Sequence, residues 1–501
     1  MPNKRLIFAA AVAALLGYCF LFQGARGLCE RDEGRYTAIA VQMIKTGDWI
    51  HPRINYRQEL FSKPPLTYWL IASSVLTFGK TEWAARLPSA ASFFGSILAV
   101  FLLGRLFVPR RPWVPALVYG MFFFTVTASN IITTDGLLTF FEVSAVTSFA
   151  YAFWGKEKKR ALCLALMWFF FALAFLTKGP PGLLPLLAIV FFAAQAKKRG
   201  RAFSLKWFPG LLIFLILGGS WYFYVMFERA GLAHYFFSHE IYDRVFSTKH
   251  HRNGAWYSFL YSYVPILLFG PLPWAWHVWA GIVKTFRRAR AGVGAMFEED
   301  EGRGFFLLLW VFVPLAVFMI ARSRLPLYML PLFAPLALFA GQKLEARQFS
   351  FFKASGRVTF WCAVMLLVRL AGGAIPLRAD AGWMAREIQK SVHAPFDQVV
   401  FLDKKPVLGL TFYLGTDVEA VTPAGQALEE ALQEPKRQLW IIKLNQREMF
   451  MKRSAEAGHP MHPVGTLHWD KLYGLFMAAK EKPTAALALN FPPPEHRIVL
   501  K

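Results

Sequence analysis

The chain has 501 residues, of which 56% are hydrophobic and only 17% are charged. Soluble globular proteins carry about a quarter charged residues, so this composition favours a membrane protein over a soluble one. The formal net charge of +25 comes from short basic clusters between apolar runs. Because no basic stripe with interleaved aromatic residues occurs, nucleic acid is excluded as a partner, and the clusters are typical of contacts with membrane lipids.

Apolar runs along the chain predict a polytopic, mainly α-helical membrane protein. A helix needs about 20 apolar residues to cross the hydrocarbon core. This length predicts about 11–13 transmembrane helices, with plausible spans at 5–22, 84–107, 112–128, 134–154, 160–177, 181–196, 207–227, 257–282, 303–321, 325–342 and 355–376. The first run is long and lacks a clear cleavage site, so we interpret it as an uncleaved membrane helix and not as a signal peptide.

Basic clusters occur in every second connection between these spans. They lie at 105–111, 156–160, 196–206, 284–304 and 342–357. Cytoplasmic connections of membrane proteins are enriched in Lys and Arg, so these clusters are predicted to lie inside. The alternate connections, among them a long first loop over residues 23–83, are then predicted to lie outside.

Residues 378–501 differ from the rest of the chain. Their apolar runs shorten to "QVVFL", "LWIIKL" and "LYGLFMAA", separated by polar and Pro-containing stretches. Such a pattern is typical of strands and helices in a soluble domain. We therefore predict a membrane domain over residues 1–377 and a small α/β domain over residues 378–501, exposed on the outer side.

The first loop concentrates charged residues next to lipid. Apolar residues at helical spacing predict an amphipathic helix with Asp32 as its N-cap and Gly47 as its stop. A second helix over residues 64–79 is too short to cross and is predicted to lie at the membrane interface, where it would frame a pocket with the first. Lys63 directly precedes this second helix, and a lysine at a helix N-terminus is a ready anion site. The alternative is that these charges are simply solvated.

Ordered motifs over residues 30–340 resemble the bacterial glycosyltransferases of the GT-C type. They are "RDEGRYTAIAVQMIKTGDWIHPRIN", "FSKPPLTYWL", "TTDGLLTFF", "FLTKGPPGLLPLL", "YFFSHEIYDRVF" and "SRLPLYMLPLFAPLAL". The chain is similar to the aminoarabinose lipid A transferases, within the wider protein mannosyltransferase-like group. The resemblance implies an inverting enzyme of the bacterial inner membrane. Such an enzyme transfers a sugar from a polyprenyl-phosphate (undecaprenyl-phosphate) donor to a periplasmic acceptor, such as lipid A or another envelope glycolipid or glycan.

The resemblance implies catalytic roles for two acids, Asp32 and Asp135. If the acceptor is a hydroxyl group, Asp32 is the candidate general base. If the acceptor is a phosphate, as in lipid A modification, Asp32 would position groups or bind the amine of an amino sugar. Asp135 is expected to orient the sugar or the acceptor, and its alternative role is the N-cap of a helix that starts at Gly136.

Cations are expected at the donor phosphate, because its departure calls for electrostatic stabilisation. The resemblance places Arg35, Lys63, Lys178 and Arg324 there. An alternative for Lys178 is a lysine that snorkels to the interface, and Arg324 stands where the related motif usually has a lysine. The substrate-binding positions that the resemblance implies are Glu33, Tyr36, Glu240, Arg244 and Tyr328.

No metal cofactor is assigned from the sequence. His250 and His251 are adjacent, and neighbours in a loop seldom face one ion. Relatives can carry an acid just before the first-loop lysine and a histidine just after the acid that matches Glu240. This chain has Ser62 and Ile241 at those places, so it departs from that ligand pattern.

Three alternatives accompany this reading. A transporter or flippase for polyprenyl lipids would place ionisable groups near the bilayer midplane, whereas here they collect at one side, apart from Glu142 and Arg369. A membrane receptor would leave the charged first loop unexplained. A protein O-mannosyltransferase-like enzyme would differ in its acceptor. We expect a monomer whose partners are the lipid-linked donor, the acceptor and membrane lipids.

The charge pattern predicts that Lys63 and Asp135 face the same, outer side. In a background without native cysteines, Lys63→Cys and Asp135→Cys are expected to react with an impermeant maleimide added from that side. Lys198→Cys, in a basic connection, is expected to react only after the membrane is opened. Labelling of the first two positions from opposite sides would contradict the topology.

Overall fold

The computed structural model describes residues 4–30, 32–201, 208–243, 253–290, 292–374, 380–423, 426–468 and 472–478. The chain divides into two compact units. A membrane unit takes its residues from 1–25, 48–52 and 60–372, and a sheet unit takes them from 26–47, 53–59 and 373–501. Both units are discontinuous in sequence, whereas the apolar pattern predicted a single boundary before residue 378.

Helices dominate the described part of the chain. In chain order they are α1 Lys4–Phe20, α2 Asp32–Thr46, α3 Leu66–Phe78, α4 Glu82–Phe107, α5 Trp113–Met121, α6 Phe123–Ala128, α7 Thr134–Trp154, α8 Arg160–Lys178, α9 Leu184–Lys198, α10 Phe208–Glu228, α11 Leu232–Tyr235, α12 Ser258–Ser262, α13 Val264–Phe269, α14 Ala275–Ala289, α15 Val293–Asp300, α16 Arg303–Ile320, α17 Phe333–Ala346, α18 Phe351–Ala374, α19 Ala381–Ser391, α20 Leu410–Leu414, α21 Gln426–Leu432 and α22 Arg447–Glu456. A π-helical segment covers Phe236–Tyr242, and 3-10 turns cover Glu157–Lys159, Pro180–Leu183, Pro326–Leu332 and Leu444–Gln446.

Eight helical segments in the described residues are long and apolar enough to cross a membrane. They are Glu82–Phe107, Thr134–Trp154, Glu157–Lys178, Pro180–Lys198, Phe208–Glu228, Arg303–Ile320, Pro326–Ala346 and Ala354–Gly372. Each coincides with a span predicted from the sequence. The apolar helices Ala9–Phe20, Leu66–Phe78 and Ser258–Phe269 are shorter, and the chain is a multi-pass membrane protein.

Two predicted spans, 112–128 and 257–282, are broken helices in the structure. The first breaks between α5 and α6, where Phe122 has an extended ψ of 128°. The second breaks after α13, where the sequence Gly-Pro-Leu-Pro removes two backbone donors. The two breaks meet: the N–H of Phe123 donates to the carbonyl of Leu272 at 3.0 Å, and that of Phe124 to Gly270 at 3.2 Å. Non-helical backbone at membrane depth is tolerated because protein partners satisfy its polar groups.

Arg369 is a buried cation inside α18. Its guanidinium donates to the carbonyl of Tyr18 and to the hydroxyl of Ser129, both at 2.7 Å. These bonds to neutral oxygens satisfy part of a charge that would otherwise be costly in the apolar interior. The residue therefore ties α1 and the end of α6 to α18.

The sheet unit contains the small α/β domain predicted for the C-terminal residues. Its strands are β1 Gln398–Leu402, β2 Asp417–Val421, β3 Gln438–Lys443, β4 Met461–His468 and β5 Leu472–Ala478, in the order β2-β1-β3-β5-β4. β1 pairs in parallel with β2 and β3, and β5 is antiparallel to β3 and β4. Every residue of β1 is buried, as expected of a central strand covered on both faces.

The helix α2 packs within the sheet unit. Leu28, just before it, receives an N–H bond from Ala381 at 2.9 Å and donates its own N–H to the Tyr413 hydroxyl at 2.9 Å. Gln42 within it donates to the Asp417 carboxylate at 2.6 Å. Its predicted end is confirmed: it ends at Thr46 and is followed by Gly47 at φ 70°, a conformation that favours glycine. At its start, Asp32 is the first helical residue and not the predicted N-cap.

Glu30 is a partly buried carboxyl group in the sheet unit. The N–H of Gly409 donates to its Oε1 at 2.6 Å. Burial nevertheless raises the pKa of Glu30 from 4.5 to about 7, against the lowering effect of that bond. The folded unit therefore holds a proton that the unfolded chain would release between these two values.

The stability of the sheet unit is therefore expected to fall as the pH rises from about 4.5 to about 7, by up to about 3 kcal/mol. The stabilisation by protonated Glu30 is fully present below pH 4.5, the pKa in the unfolded chain, and is lost as the pH rises past about 7, the pKa in the folded unit. It is lost because ionised Glu30 is poorly solvated in the folded unit. Hydrogen exchange of β1 amides in the intact protein, corrected for intrinsic rates, measures this change. Glu30→Gln should flatten the profile, and the exposed Glu448→Gln should leave it unaltered. An equal slope in Glu30→Gln would contradict the assignment.

Candidate functional site

Asp135 lies in the first turn of α7. The helix begins at Thr134, and the Thr133 hydroxyl accepts the Asp135 N–H at 3.2 Å. The expectation that Asp135 caps a helix starting at Gly136 is thus corrected, because Thr133 occupies the capping position. The Asp135 side chain is free to make tertiary contacts and is 7% exposed.

Lys178 pairs with Asp135. It is the last residue of α8, which stops there because Gly179 adopts φ 74° and Pro180 follows. Its Nζ lies 2.5 Å from Asp135 Oδ1 and 4.1 Å from the centre of the Tyr328 ring. A carboxylate and an aromatic face together stabilise the ammonium group in a partly dry site.

Glu142 is a buried acid two turns after Asp135 on the same helix. Asp135, Glu142, Lys178 and Tyr328 line a void of about 10 Å³, room for roughly one water molecule. The sequence singled out Glu142 only as a charge inside a span. Its spacing of seven residues from Asp135 was the signal that both carboxylates share a helix face.

Lys63 and Glu240 form a second charged pair. Lys63 precedes the proline pair that begins the approach to α3, and its Nζ lies 3.5 Å from Glu240 Oε2. Glu240 belongs to the π-helical segment and also accepts from the Tyr235 hydroxyl at 3.5 Å. π-helical turns commonly occur at functional sites.

These charged residues line one large cavity of about 450 Å³ in the membrane unit. We call it the apolar cavity, because aromatic and aliphatic side chains form most of its wall. Its lining residues are Phe61, Ser62, Lys63, Pro64, Phe175, Lys178, Pro180, Pro181, Leu184, Phe214, Leu215, Gly219, Tyr222, Phe223, Met226, Phe236, Phe237, Glu240, Val317, Phe318, Ala321, Ser323 and Tyr328. The structure thus brings together Lys63, Lys178, Glu240 and Tyr328, with Asp135 bonded to Lys178.

One wall of the apolar cavity was missed by sequence reasoning. α10 contributes Leu215, Gly219, Tyr222 and Met226 to it. Their spacing of four, three and four residues follows one face of a helix. This spacing is present in the sequence, but α10 is so uniformly hydrophobic that the spacing does not stand out from the rest of the helix.

A short segment before α3 is braced against α10. The Trp221 indole donates to the Ile50 carbonyl at 2.8 Å, and His51 lies 2.9 Å from Asp48 and 2.7 Å from Glu228. Burial lowers the pKa of His51, but its bonds to Glu228 and Asp48 outweigh this and raise the pKa above its usual value. The brace fixes residues close in sequence to the Phe61–Pro64 wall of the cavity.

Arg324 is held by backbone oxygens. Its guanidinium donates to the carbonyls of Ala255 at 2.5 Å and Met319 at 2.8 Å, and to the Ser258 hydroxyl at 2.8 Å. It is 3% exposed. The structure therefore places it as a tie between two segments, next to the cavity residue Ser323, and its phosphate-binding role stays a prediction.

The predicted site residues of the first helix belong to the sheet unit. Asp32 is the first residue of α2, and its exposed carboxylate accepts from Arg35 at 2.7 Å. Glu33 is buried and bonded to the Arg26 guanidinium at 2.6 and 2.9 Å. Tyr36 is buried too, with the Arg35 guanidinium 5.2 Å from its ring centre.

The metal hypothesis finds no ligand set in the described residues. Arg244, His250 and His251 lie outside them, and so does the Ile241 side chain. Ser62 lines the apolar cavity where relatives can carry an acid. Among the residues that the structure describes, no cluster of three or more His, Cys, Asp or Glu side chains could hold a metal ion.

Comparisons with known proteins agree with this architecture. Residues 62–223 match the family of dolichyl-phosphate-mannose-protein mannosyltransferases. The undecaprenyl phosphate-α-4-amino-4-deoxy-L-arabinose arabinosyl transferase of Shewanella sediminis is 30% identical over 347 residues, covering 68% of this chain and 60% of the relative. The enzyme of the same name from Pseudomonas paraeruginosa is 29% identical, covering 74% of this chain and 66% of the relative. The chain therefore spans about three fifths of the first relative's length.

The fold matches a solved structure along nearly the whole chain. ArnT from Cupriavidus metallidurans, bound to undecaprenyl phosphate, superposes with a TM-score of 0.74 over 96% of this chain and 100% of that chain, at 19% identity. Its apo state gives a TM-score of 0.72. The predicted fold, a GT-C type membrane protein with a small α/β domain, is confirmed.

The Asp135–Lys178 pair predicts a strong asymmetry between single and double variants. Lys178→Met should destabilise the membrane unit by about 3–5 kcal/mol, because it leaves a buried carboxylate without its cation. The double variant Asp135→Asn/Lys178→Met should recover most of that loss. Unfolding in detergent measures both, and Arg160→Met, which breaks the exposed pair with Glu157, should cost less than about 1 kcal/mol. Additive losses in the double variant would contradict the pairing.

Proposed function

We propose that this chain, which resembles the aminoarabinose transferases over about two thirds of its length, is a membrane glycosyltransferase. It transfers a sugar from an undecaprenyl-phosphate donor to an acceptor at the periplasmic face of the bacterial inner membrane. The observation that carries the proposal is the apolar cavity, with its aromatic wall and its two lysines.

The apolar cavity suits a lipid-linked phosphate. Isoprenoid units of the donor would lie against Phe214, Phe223 and Phe237, where burial removes apolar surface from water. The phosphate would lie near Lys63 and Lys178, as the only part of the lipid that needs a cation. A binding site with an apolar wall and a few converging polar groups is the usual form of a small-molecule site.

Lys63 is proposed to stabilise the leaving phosphate. Its ammonium group stands before α3, whose unpaired N–H groups add a favourable field for an anion. Glu240 holds Lys63 at 3.5 Å before the donor arrives. Lys63 can exchange a contact of this length for one with a phosphate oxygen. Further proposed contacts to the phosphate or the substrate are Arg35, Lys178, Arg324 and Arg244.

The transfer itself breaks one bond and forms one. The bond between the anomeric carbon and the donor phosphate oxygen breaks, and its electron pair leaves with undecaprenyl phosphate. An acceptor oxygen attacks the opposite face of the same carbon, so the configuration inverts. If that oxygen is a hydroxyl, Asp32 takes its proton as general base; if it is a phosphate, no proton is transferred and Asp32 positions the reactants.

The remaining predicted residues are proposed to orient the sugar. Asp135, held by Lys178, offers a fixed carboxylate oxygen to a sugar hydroxyl or amine. Tyr328 lines the apolar cavity beside it. Glu33 and Tyr36 support α2, which carries Asp32. These roles are assigned to side chains of the chain alone, and Ser62 stands at one of the positions where relatives can supply a metal ligand.

The relatives' name specifies the sugar of the donor but not the acceptor. The name of the relatives specifies 4-amino-4-deoxy-L-arabinose, and we propose that a sugar of this kind is transferred to lipid A or a related envelope glycolipid by a monomeric enzyme. A protein O-mannosyltransferase-like activity is the second candidate, favoured by the family match over residues 62–223.

Purified protein is expected to release undecaprenyl phosphate from an undecaprenyl-phosphate sugar when lipid A is supplied. Asp32→Asn should lower the rate by about 100-fold or more, as loss of a catalytic base does. Lys63→Ala should lower it by a similar factor, as loss of a charge-stabilising donor does. Chromatography of the released lipid measures both.

The matched control for Asp32→Asn is Asp397→Asn. Both aspartates are exposed and pair with an arginine, Asp32 with Arg35 at 2.7 Å and Asp397 with Arg437 at 2.9 Å. Asp397→Asn should keep full activity. Movement of intact donor across vesicles without release of the lipid phosphate would instead identify a flippase, and full activity of Asp32→Asn would overturn its role.

A further inference from the structure

A second cavity of about 330 Å³ lies at the other end of the membrane helices. Arg303 lines it at the first residue of α16, whereas Val317 and Phe318 of the same helix line the apolar cavity. With a rise of 1.5 Å per residue, the two cavities are about 20 Å apart along the helix. The second is therefore a separate site, and we call it the basic cavity.

The basic cavity is built from several chain segments. It is enclosed by the end of α4, the end of α14, the α15–α16 connection and the end of α17. α14 and α17 pack closely because Gly281 has no side chain: a Cβ there would lie 2.5 Å from the Phe339 carbonyl oxygen. Its lining residues are Leu106, Phe107, Pro109, Arg110, Gly281, Lys284, Thr285, Arg288, Asp300, Arg303, Gln342, Lys343, Glu345 and Ala346.

Cations outnumber acids on this lining. Arg288 pairs with Asp300 at 3.6 Å and with Glu299, and Arg303 pairs with Glu301 at 3.6 Å. Glu345, the other lining acid, accepts from the backbone N–H of Arg110 at 2.8 Å.

Two lysines add to the excess of positive charge on the cavity lining. Within the described part of the chain, neither Lys284 nor Lys343 forms an ion pair with a carboxylate, and the same holds for the Arg110 side chain. Three cationic side chains from three different segments therefore converge on one concave space. An anion bound among these like charges would reduce their mutual repulsion.

The tendency of inner connections to be basic does not account for this arrangement. That tendency explains basic side chains at a helix end, such as Lys197 and Lys198 of α9, and it requires no cavity. Here the charges surround a concave site beside apolar Leu106 and Phe107, near the ends of α4, α14 and α17. Basic pockets between membrane helices are suited to anionic lipid headgroups.

We propose that the basic cavity binds the phosphate of an anionic phospholipid from the adjacent leaflet. Arg110, Lys284 and Lys343 contact the phosphate oxygens, and the glycerol and upper acyl chain lie against Leu106 and Phe107. The site is distinct from the apolar cavity, and it holds whether or not the transfer reaction is the one proposed above.

The test uses delipidated full-length protein in detergent, with phosphatidylglycerol, phosphatidylcholine and inorganic phosphate as separate probes. Native mass spectrometry and the lipid-induced shift of the unfolding temperature report binding. Phosphatidylglycerol should bind more tightly than phosphatidylcholine. Lys284→Ala/Lys343→Ala should weaken it about 25-fold, since each cation near the headgroup contributes about fivefold.

The matched control is Lys197→Ala/Lys198→Ala, which removes the same charge outside the cavity and should alter affinity less than about twofold. Unfolding without lipid checks that the variants fold, and the exposed Lys284→Ala alone carries the test if the double variant does not. Equal weakening by the control pair, equal binding of phosphatidylcholine, or saturation by inorganic phosphate with no phosphatidylglycerol binding would each overturn the proposal.

Discussion

The ammonium group of Lys178 lies between the Asp135 carboxylate and the Tyr328 ring, at the edge of a cavity whose lining is mostly apolar. A charge in such surroundings persists only where partners replace the water it has lost. The local sequence provides them: Gly179 ends α8 directly after the lysine, and Thr133 caps α7 so that the aspartate is available for the pair. The result is a binding site for an amphiphilic ligand, because a fixed charged group lies beside apolar side chains.

The same constraint shapes the backbone of the membrane unit. Two predicted spans break, and the broken stretches hydrogen-bond to each other through Phe123 and Phe124. Each break alone would leave donors or acceptors without partners in an apolar environment. Together they bring α6 next to α13 and the 3-10 turn Pro326–Leu332, which carries Tyr328 to the cavity.

Much of the fold was predictable because hydrophobicity is a local property. The long spans, α2 and the strands β1, β3 and β5 follow from apolar runs and their flanking residues. The breaks at Phe122 and after α13 were not predictable, because an apolar run looks the same whether or not its helix is continuous. For the site, single motifs located Lys63, Asp135 and Lys178, but the Asp135–Lys178 pair joins residues 43 positions apart. Glu30 was missed because its burial depends on Gly409, which lies far along the chain.

The make-up of the sheet unit has a consequence for biosynthesis. Gln42 of α2 is made 375 residues before its partner Asp417 in the same unit. At about 5–20 residues per second, the helix waits on the order of half a minute for its partners. During that interval Glu30 is hydrated like any surface acid, and its pKa rises to about 7 only when the two distant parts of the chain meet. A nascent chain interrupted within the membrane unit would therefore carry the Asp32 helix without Asp417 and the sheet.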